Sequence, residues 1–102
     1  MKTLSATLYK ADGSLESFVL NTKTSLETLQ KMVGGYIEVI HIVDAIESLK
    51  QGKAIGKDLI INEEGRLLDL PPNPWSPRVG RNSIWKDEIF FGDIVLIEGR
   101  LP

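Results

Sequence analysis

One stretch of this chain resists regular structure. Residues 71–86, PPNPWSPRVGRNSIWK, hold four of the five prolines and both tryptophans. Proline lacks a backbone N–H and fixes its own φ, so repeated prolines exclude a helix or an inner strand over most of this stretch. Strands and helices must therefore come mainly before residue 71 or after residue 86. We call residues 71–86 the Pro-rich segment.

The first third of the chain predicts a hairpin followed by a helix. Residues 3–9 and 15–20 read as strands, and Asp12-Gly13 between them supplies the positive φ that hairpin turns require. Residues 24–27, TSLE, match a capping box, and apolar residues then recur at helical spacing (Leu26, Leu29, Met32, Val33) until Gly34-Gly35. The pattern predicts a helix over residues 25–33 whose apolar face lies on the sheet.

The middle of the chain predicts a buried strand and a short helix. Residues 36–42, YIEVIHI, are apolar on both alternating faces apart from Glu38 and His41, which predicts a central strand. Residues 44–51 begin at an acidic cap and stop before Gly52, which predicts a second helix, although an excursion loop would look much the same.

A second hairpin and a closing strand complete the predicted fold. Residues 58–62 and 66–70 read as strands joined by Glu63-Glu64-Gly65, with Gly65 in a left-handed conformation, and residues 94–98 read as the last strand. The expected fold is an α+β domain with a small, mostly antiparallel sheet of five or six strands. A chain of 102 residues has room for a single domain, residues 1–102.

Composition narrows the classes of partner. The chain has ordinary globular proportions, no cysteine and a net charge of -2, so its overall field would repel a polyanion such as DNA. We expect no general nucleic-acid binding, no membrane association and a cytoplasmic location in a bacterial host, since no signal peptide or long apolar run is present. A small domain buries a limited core, so a homo-oligomer would add stability and is left open.

Several short blocks resemble a known family. These are VGGYIEVI at residues 33–40, NEEG at residues 62–65, Pro71 with Asn73, and FGDIVL at residues 91–96. Together they resemble a family of small domains of unknown function that is common in phages, prophages and plasmids. The resemblance covers roughly residues 24–98 and implies no catalytic residues. Residues 42–58 and the two tryptophans depart from the family pattern, so an added function is expected there.

The residues that enzymes and metal sites require are sparse. His41 is the only histidine, and a lone histidine on a strand is more often a hydrogen-bonded structural residue than a catalyst, which would need a partner. Glu38, on an otherwise apolar strand face, must be paired, solvated at an edge, or functional. Both stay secondary candidates for a site. We expect no enzyme, no cofactor and no metal site, because no nucleophile–base pair or ligand spacing is present.

The Pro-rich segment carries the binding argument. Its tryptophans offer flat faces, its arginines offer forked donors suited to phosphate or carboxylate, and its asparagines can hydrogen-bond a base edge or a peptide group. The candidate site residues are Asn73, Trp75, Arg78, Arg81, Asn82 and Trp85. Each tryptophan could equally cap the hydrophobic core beneath a long connection.

Three functions remain open on the sequence alone. The first is non-enzymatic binding of a small phosphorylated molecule of nucleotide type, which would let a mobile element sequester a host defence signal. The second is a protein interaction module or inhibitor of a host enzyme, with the same tryptophans and arginines as anchors. The third is a purely structural accessory protein. A deep pocket beside Arg78 and Arg81 would favour the first, and a flat exposed patch around Trp75 and Trp85 would favour the second.

Overall fold

The computed structural model describes residues 2–101. Within that range the chain forms five strands and three helices, in an order that begins with a hairpin and ends with a strand. The elements are β1 (Thr3–Tyr9), β2 (Leu15–Asn21), α1 (Ser25–Val33), β3 (Ile37–Val43), α2 (Ala45–Gln51), β4 (Gly56–Asn62), α3 (Ser76–Val79) and β5 (Ile94–Ile97). None of these helices is long and apolar enough to span a bilayer.

The five strands form one antiparallel sheet in the order β2-β1-β5-β4-β3. The hairpin of β1 and β2 and the pair of β3 and β4 lie on either side of β5, which hydrogen-bonds to β1 and β4. All four residues of β5 are buried. The predicted α+β fold, the first hairpin and the closing strand are therefore confirmed, and the closing strand is the centre of the sheet.

Alternating side chains give this sheet two apolar faces. On the first face, Leu29 and Val33 of α1 pack in a cluster with Val95. On the second face, Val79 and Phe90 pack in a separate cluster with Leu96 and with other residues of β3, β4 and β5. The Pro-rich segment and the residues that follow it thus cover the second face, and α1 covers the first.

The helix α1 forms where the sequence predicts it, but its beginning differs. Thr24 makes no side-chain capping bond, because its ψ of 17° places it outside the extended conformation that aims a capping hydroxyl at the first turn. The predicted capping box is therefore wrong. Leu26 is 55% exposed, so it does not belong to the buried face. At the other end Gly34 adopts φ 80°, and its N–H donates to the carbonyl of Gln30, as predicted.

The strand β3 lies at an edge of the sheet, so the prediction of a central strand is wrong. Its apolar character has another cause. Ile37 packs against the α1 cluster, whereas Ile40 and Ile42 belong to the cluster under the Pro-rich segment. The face of Ile40 and Ile42 is therefore covered by the Pro-rich segment. On the other face only Ile37 packs against the core, and Val39 and Val43 are exposed.

The predicted second hairpin is also wrong. The strand over residues 58–62 exists within β4, but β4 pairs with β3 and β5. Residues 66–69 form consecutive turns instead of a strand, and Leu70 is irregular. The side chain of Asn62 starts these turns by accepting the N–H of Glu64 at 2.8 Å. Gly65 does not adopt positive φ; Asp69 does, at 56°. Glycine suits position 65 for a different reason, because a Cβ there would lie only 3.1 Å from the carbonyl oxygen of Phe91.

The short helix α2 is confirmed, as is its acidic cap. The carboxylate of Asp44 accepts the N–H of Glu47 at 2.9 Å, and Gly52 closes the helix at φ 69°. No side chain of α2 is buried. The helix is held to the rest of the protein largely by hydrogen bonds, including one from the N–H of Ala45 to the carbonyl of Asn82 at 2.8 Å.

Candidate functional site

The Pro-rich segment is fastened to the sheet through Asn73. This side chain is buried, and its amide nitrogen donates to the carbonyls of Tyr9 at 2.9 Å and Gly92 at 2.8 Å. Its amide oxygen accepts the N–H of Trp75 at 2.9 Å. Both amide protons and the oxygen are thus engaged inside the fold. Asn73 positions the segment and has no polar group facing outward.

A buried serine that the sequence analysis missed completes this anchor. The hydroxyl of Ser76 donates to the carbonyl of Asn73 at 2.7 Å and accepts the N–H of Phe90 at 2.9 Å. Ser76 is fully buried at the start of α3. The only sequence signal was a serine just before Pro77 in a turn-rich stretch, and serine is common in such places on the surface.

Trp75 is half-buried against the second cluster and ties the segment to the first hairpin. Its ring centroid lies 5.3 Å from that of Tyr9, and its indole N–H donates to the carbonyl of Gly13 at 3.1 Å. The guanidinium carbon of Arg78 lies 5.9 Å from the centroid of the same ring. The ring therefore caps the core on one side and supports a cation on the other.

Trp85 is half-buried in the same cluster but lies over β3. Its indole N–H donates to the carbonyl of His41 at 3.2 Å. Gly80 makes this approach possible, because a Cβ at that position would lie 2.5 Å from the backbone oxygen of Trp85. Both tryptophans thus fit the core-capping alternative of the sequence analysis, and neither forms a flat exposed patch.

A cleft of about 340 Å³ opens beside Arg78 and Arg81. Its apolar lining includes Tyr9, Ile42 and Val79, which also belong to the second cluster. The cleft lies at one end of the sheet, between the Pro-rich segment and the beginning of α2. We call it the arginine cleft.

The charges around the arginine cleft are of both signs. Among residues 2–101 neither Arg78 nor Arg81 has a carboxylate oxygen within 4.0 Å, and both side chains are exposed. Lys57, by contrast, pairs with Glu98 at 3.0 Å. The hydrogen bond from Glu47 N–H to Asp44 lowers the pKa of the Asp44 carboxyl, and the Asn82 amide and the nearby Arg81 guanidinium lower it further. Asp44 is therefore an anion that Arg81 stabilises from beyond ion-pair distance, and neither guanidinium group makes a close ion pair in the described chain that would occupy its hydrogen-bond donors.

Asn82 joins the Pro-rich segment to α2. It adopts φ 60°, its carbonyl accepts the N–H of Ala45, and its amide lies 3.4 Å from Oδ2 of Asp44. Asparagine tolerates this left-handed conformation better than most residues. Asn82 does not line the arginine cleft, but it holds the start of α2, whose Asp44 and Glu47 do.

The structure places the two secondary candidates apart from the arginine cleft. Glu38 is exposed on the edge strand, where the solvent surrounds it. His41 has the partner that catalysis would need, since its Nδ1 lies 2.5 Å from Oδ1 of Asp58 on β4. Asp58 is buried, however, and its other oxygen accepts the N–H of Leu101 at 2.8 Å. This arrangement fits a histidine that satisfies a buried acid and helps to hold the end of the described chain.

Several residues of the arginine cleft could not be found by sequence reasoning. Lys57 lies on β4 and Glu98 directly follows β5, and only the sheet register brings these distant residues together. In the part of the chain that the structure describes, no group of three acids or histidines has the arrangement of a metal site.

Comparison with known proteins gives one match. Residues 7–100 match the family described as Domain of unknown function (DUF3846). This is wider than the range that carries the sequence resemblance, because it includes most of the first hairpin. No curated protein and no solved structure matches the chain significantly.

Proposed function

The chain belongs to the DUF3846 family, whose description names no activity, and we propose from its geometry that it binds a small phosphorylated molecule in the arginine cleft without turning it over. The observation that carries this proposal is the pair of guanidinium groups, on Arg78 and Arg81, that border a cleft and lack a carboxylate partner in the described chain. A guanidinium group donates two parallel hydrogen bonds to a phosphate, which gives both affinity and direction.

The volume of the cleft and the acids that line it favour a ligand larger than inorganic phosphate. A volume of about 340 Å³ lies at the small end of ligand pockets, which hold roughly 300–1,000 Å³. Glu47 and Glu98 line the same cleft and can accept hydrogen bonds from hydroxyl or amino groups. A mononucleotide or a sugar phosphate offers both an anion for the arginines and donors for the carboxylates.

The acids of the cleft support binding rather than catalysis. Asp44 caps α2, Glu47 accepts a bond from Gln51, and Glu98 pairs with Lys57. Each carboxylate therefore already has a partner and offers a ligand only its remaining lone pairs. The rigid attachment of the segment through Asn73 favours a preformed site, which lowers the ordering cost of binding. The biological role that we propose is sequestration of such a molecule by a protein of mobile-element type in a bacterial cytoplasm.

Isothermal titration calorimetry with defined ligands tests this proposal. The probes are AMP, ADP, ribose 5-phosphate and, as the unphosphorylated control, adenosine. We expect binding of at least one phosphorylated probe and none of adenosine. The double variant R78A/R81A should abolish that binding and leave the urea midpoint nearly unchanged, because both side chains are exposed. The single variant R66A removes another exposed arginine, outside the cleft, and should bind normally.

Two results would overturn the proposal. One is equal binding of the phosphorylated probes by the wild type and R78A/R81A. The other is a large loss of stability in R78A/R81A, which would show that these arginines belong to the fold.

Exposed apolar residues favour a second candidate function, a protein interaction module. Ile84 is 92% exposed within the Pro-rich segment, and Ile46 and Leu49 are exposed on α2, to which Asn82 connects that segment. Native mass spectrometry of the protein purified from phage-infected cells separates the candidates. A bound small molecule supports the first, and a stoichiometric protein partner without one supports the second.

A further inference from the structure

A second groove lies on the same face of the sheet, beyond Trp85 from the arginine cleft. It has a volume of about 230 Å³ and is formed by β3, β4, the turns after β4 and the residues that follow the Pro-rich segment. Ile40, Ile61 and Phe90 provide apolar surface, and Trp85 and Ile89 lie beside them. We call it the Trp85 groove. No residue of the arginine cleft lines it.

The charged groups around the Trp85 groove are mostly acidic. Glu38 and Glu63 line it and have no cation within 4.0 Å among residues 2–101. Glu88 also lines it, and its single partner in that range is Arg66, at 3.5 Å. Glu38 and Glu63 are exposed and, in the described chain, unpaired, so they give the mouth of this apolar groove a negative potential that attracts a cation.

Arg66 shows how this groove accommodates a cation. Its guanidinium carbon lies 5.2 Å from the ring centroid of Phe91, while one of its nitrogens faces Glu88. An aromatic ring on one side and a carboxylate on the other are the two groups that recognise guanidinium. The Arg66 side chain is 72% exposed and its ion pair with Glu88 is long, so this pair adds little to the stability of the fold. Glu38 and Glu63 remain without a cation in the described chain.

The apolar surface continues outside the groove. Leu67 is 84% exposed and Ile89 is 44% exposed, and both border the groove. A small polar cation would leave these two side chains in water, whereas a protein segment would cover them. We propose that the Trp85 groove docks a partner protein through a lysine or arginine side chain that enters beside Glu38 and Glu63, with an apolar neighbour lying on Leu67 and Ile89.

The test follows backbone and indole N–H resonances by two-dimensional NMR during titration with a synthetic peptide. The probe is the acetylated and amidated sequence Gly-Ser-Leu-Arg-Leu-Ser-Gly, and the matched control peptide carries neutral citrulline in place of arginine. We expect the arginine peptide to move the Trp85 indole N–H and the amides of Glu38, Ile40 and Ile89. The citrulline peptide should bind up to about fivefold more weakly, because it keeps the shape and loses the charge.

Two double variants distinguish binding at the Trp85 groove from nonspecific attraction of a cationic peptide to an acidic protein. E38Q/E63Q should weaken binding of the arginine peptide by up to about fivefold, whereas E16Q/E27Q, which removes two exposed acids on β2 and α1, should not. Equal weakening by both double variants, equal affinity for both peptides, or shifts confined to other surfaces would overturn the proposal. It would also be overturned if raising the protein concentration without peptide moved the same resonances, since a second copy would then cover the groove.

Discussion

Replacing Asn73 with alanine should destabilise the protein more than any exposed substitution in the Pro-rich segment. The change removes the bonds that the Asn73 amide donates to the carbonyls of Tyr9 and Gly92, and it removes the acceptor of the Trp75 N–H. Each abandoned buried group costs about 1–3 kcal/mol, and we take the low end because carbonyls retain a second lone pair and the Trp75 N–H is only partly buried. The free energy of unfolding should therefore fall by about 3 kcal/mol.

Urea denaturation followed by tryptophan fluorescence measures this loss. A fall of about 3 kcal/mol is large against the total stability of about 5–15 kcal/mol for a domain of this size, and the urea midpoint should move while the slope stays the same. The matched control is Gln51→Ala, which removes an exposed amide that bonds only to Glu47 on the same helix and should cost about 0.5 kcal/mol or less.

A second substitution separates hydrogen bonding from packing. Asn73→Asp keeps the shape and the acceptor for Trp75, but it directs a carboxylate at two carbonyl oxygens. It should be at least as destabilising as Asn73→Ala at pH 7 and should recover part of that loss in acid, when the protonated carboxyl can donate one bond. A loss below about 1 kcal/mol in Asn73→Ala would refute the reasoning, because the amide would then not hold the segment to the sheet.

Three further predictions concern the same surroundings. Gly80→Ala should lower the free energy of unfolding by about 1–3 kcal/mol, measured by urea denaturation, because its Cβ would lie 2.5 Å from the backbone oxygen of Trp85. Trp85→Phe keeps an aromatic ring and removes the N–H that covers the His41 carbonyl, so analytical ultracentrifugation should show more self-association through the freed strand edge. The hydrogen bond from the Glu47 N–H lowers the pKa of the Asp44 carboxyl. The ionised carboxylate therefore stabilises α2 above its unfolded pKa of about 3.9, and this stabilisation is lost as the pH falls through the lower pKa of the folded state. Amide exchange of α2 should accelerate in acid in the wild type and depend less on pH in Asp44→Asn.

Each of these predictions has a contrary outcome. An unchanged midpoint for Gly80→Ala would mean that the backbone near Trp85 relaxes freely. A monomeric Trp85→Phe at all concentrations would mean that the indole does not protect the edge. Equal pH dependence in Asp44→Asn and the wild type would mean that the Asp44 carboxylate does not support α2.

Much of the fold follows from local signals. The turn at Asp12-Gly13, the glycine end of α1 and the acidic cap of α2 depend on backbone geometry within a few residues, and the sequence predicts all three. The prediction of a strand over residues 66–70 was wrong. The apolar residues there are typical of a strand, but the Asn62 side chain and the close approach of Phe91 favour turns instead. Gly65 and Phe91 are distant in sequence, so their contact leaves no local signal. The direction of the Asn62 side chain is likewise not visible in the sequence.

The candidate site was predictable in composition and not in geometry. The absence of acids near Arg78 and Arg81 is visible in the sequence, but the cleft that they border is not. Asn73 looked equally suited to a ligand, yet its amide is used inside the fold. Lys57 reaches the cleft only through the pairing of β4 with its neighbours. Strand order is the information that the sequence lacks, and it determines which side chains meet.

The central place of β5 has a consequence for the order in which the protein assembles. The two strand pairs beside it consist of segments close together in sequence, so each can form soon after it leaves the ribosome, whereas β1 meets β5 only across almost the whole described chain. Until Ile94–Ile97 has been synthesised, the two pairs have no hydrogen-bonded connection between them and each exposes an inner edge. A nascent chain that stops before Ile94 should therefore depend on chaperones, because the strand that joins the sheet is the last to be made.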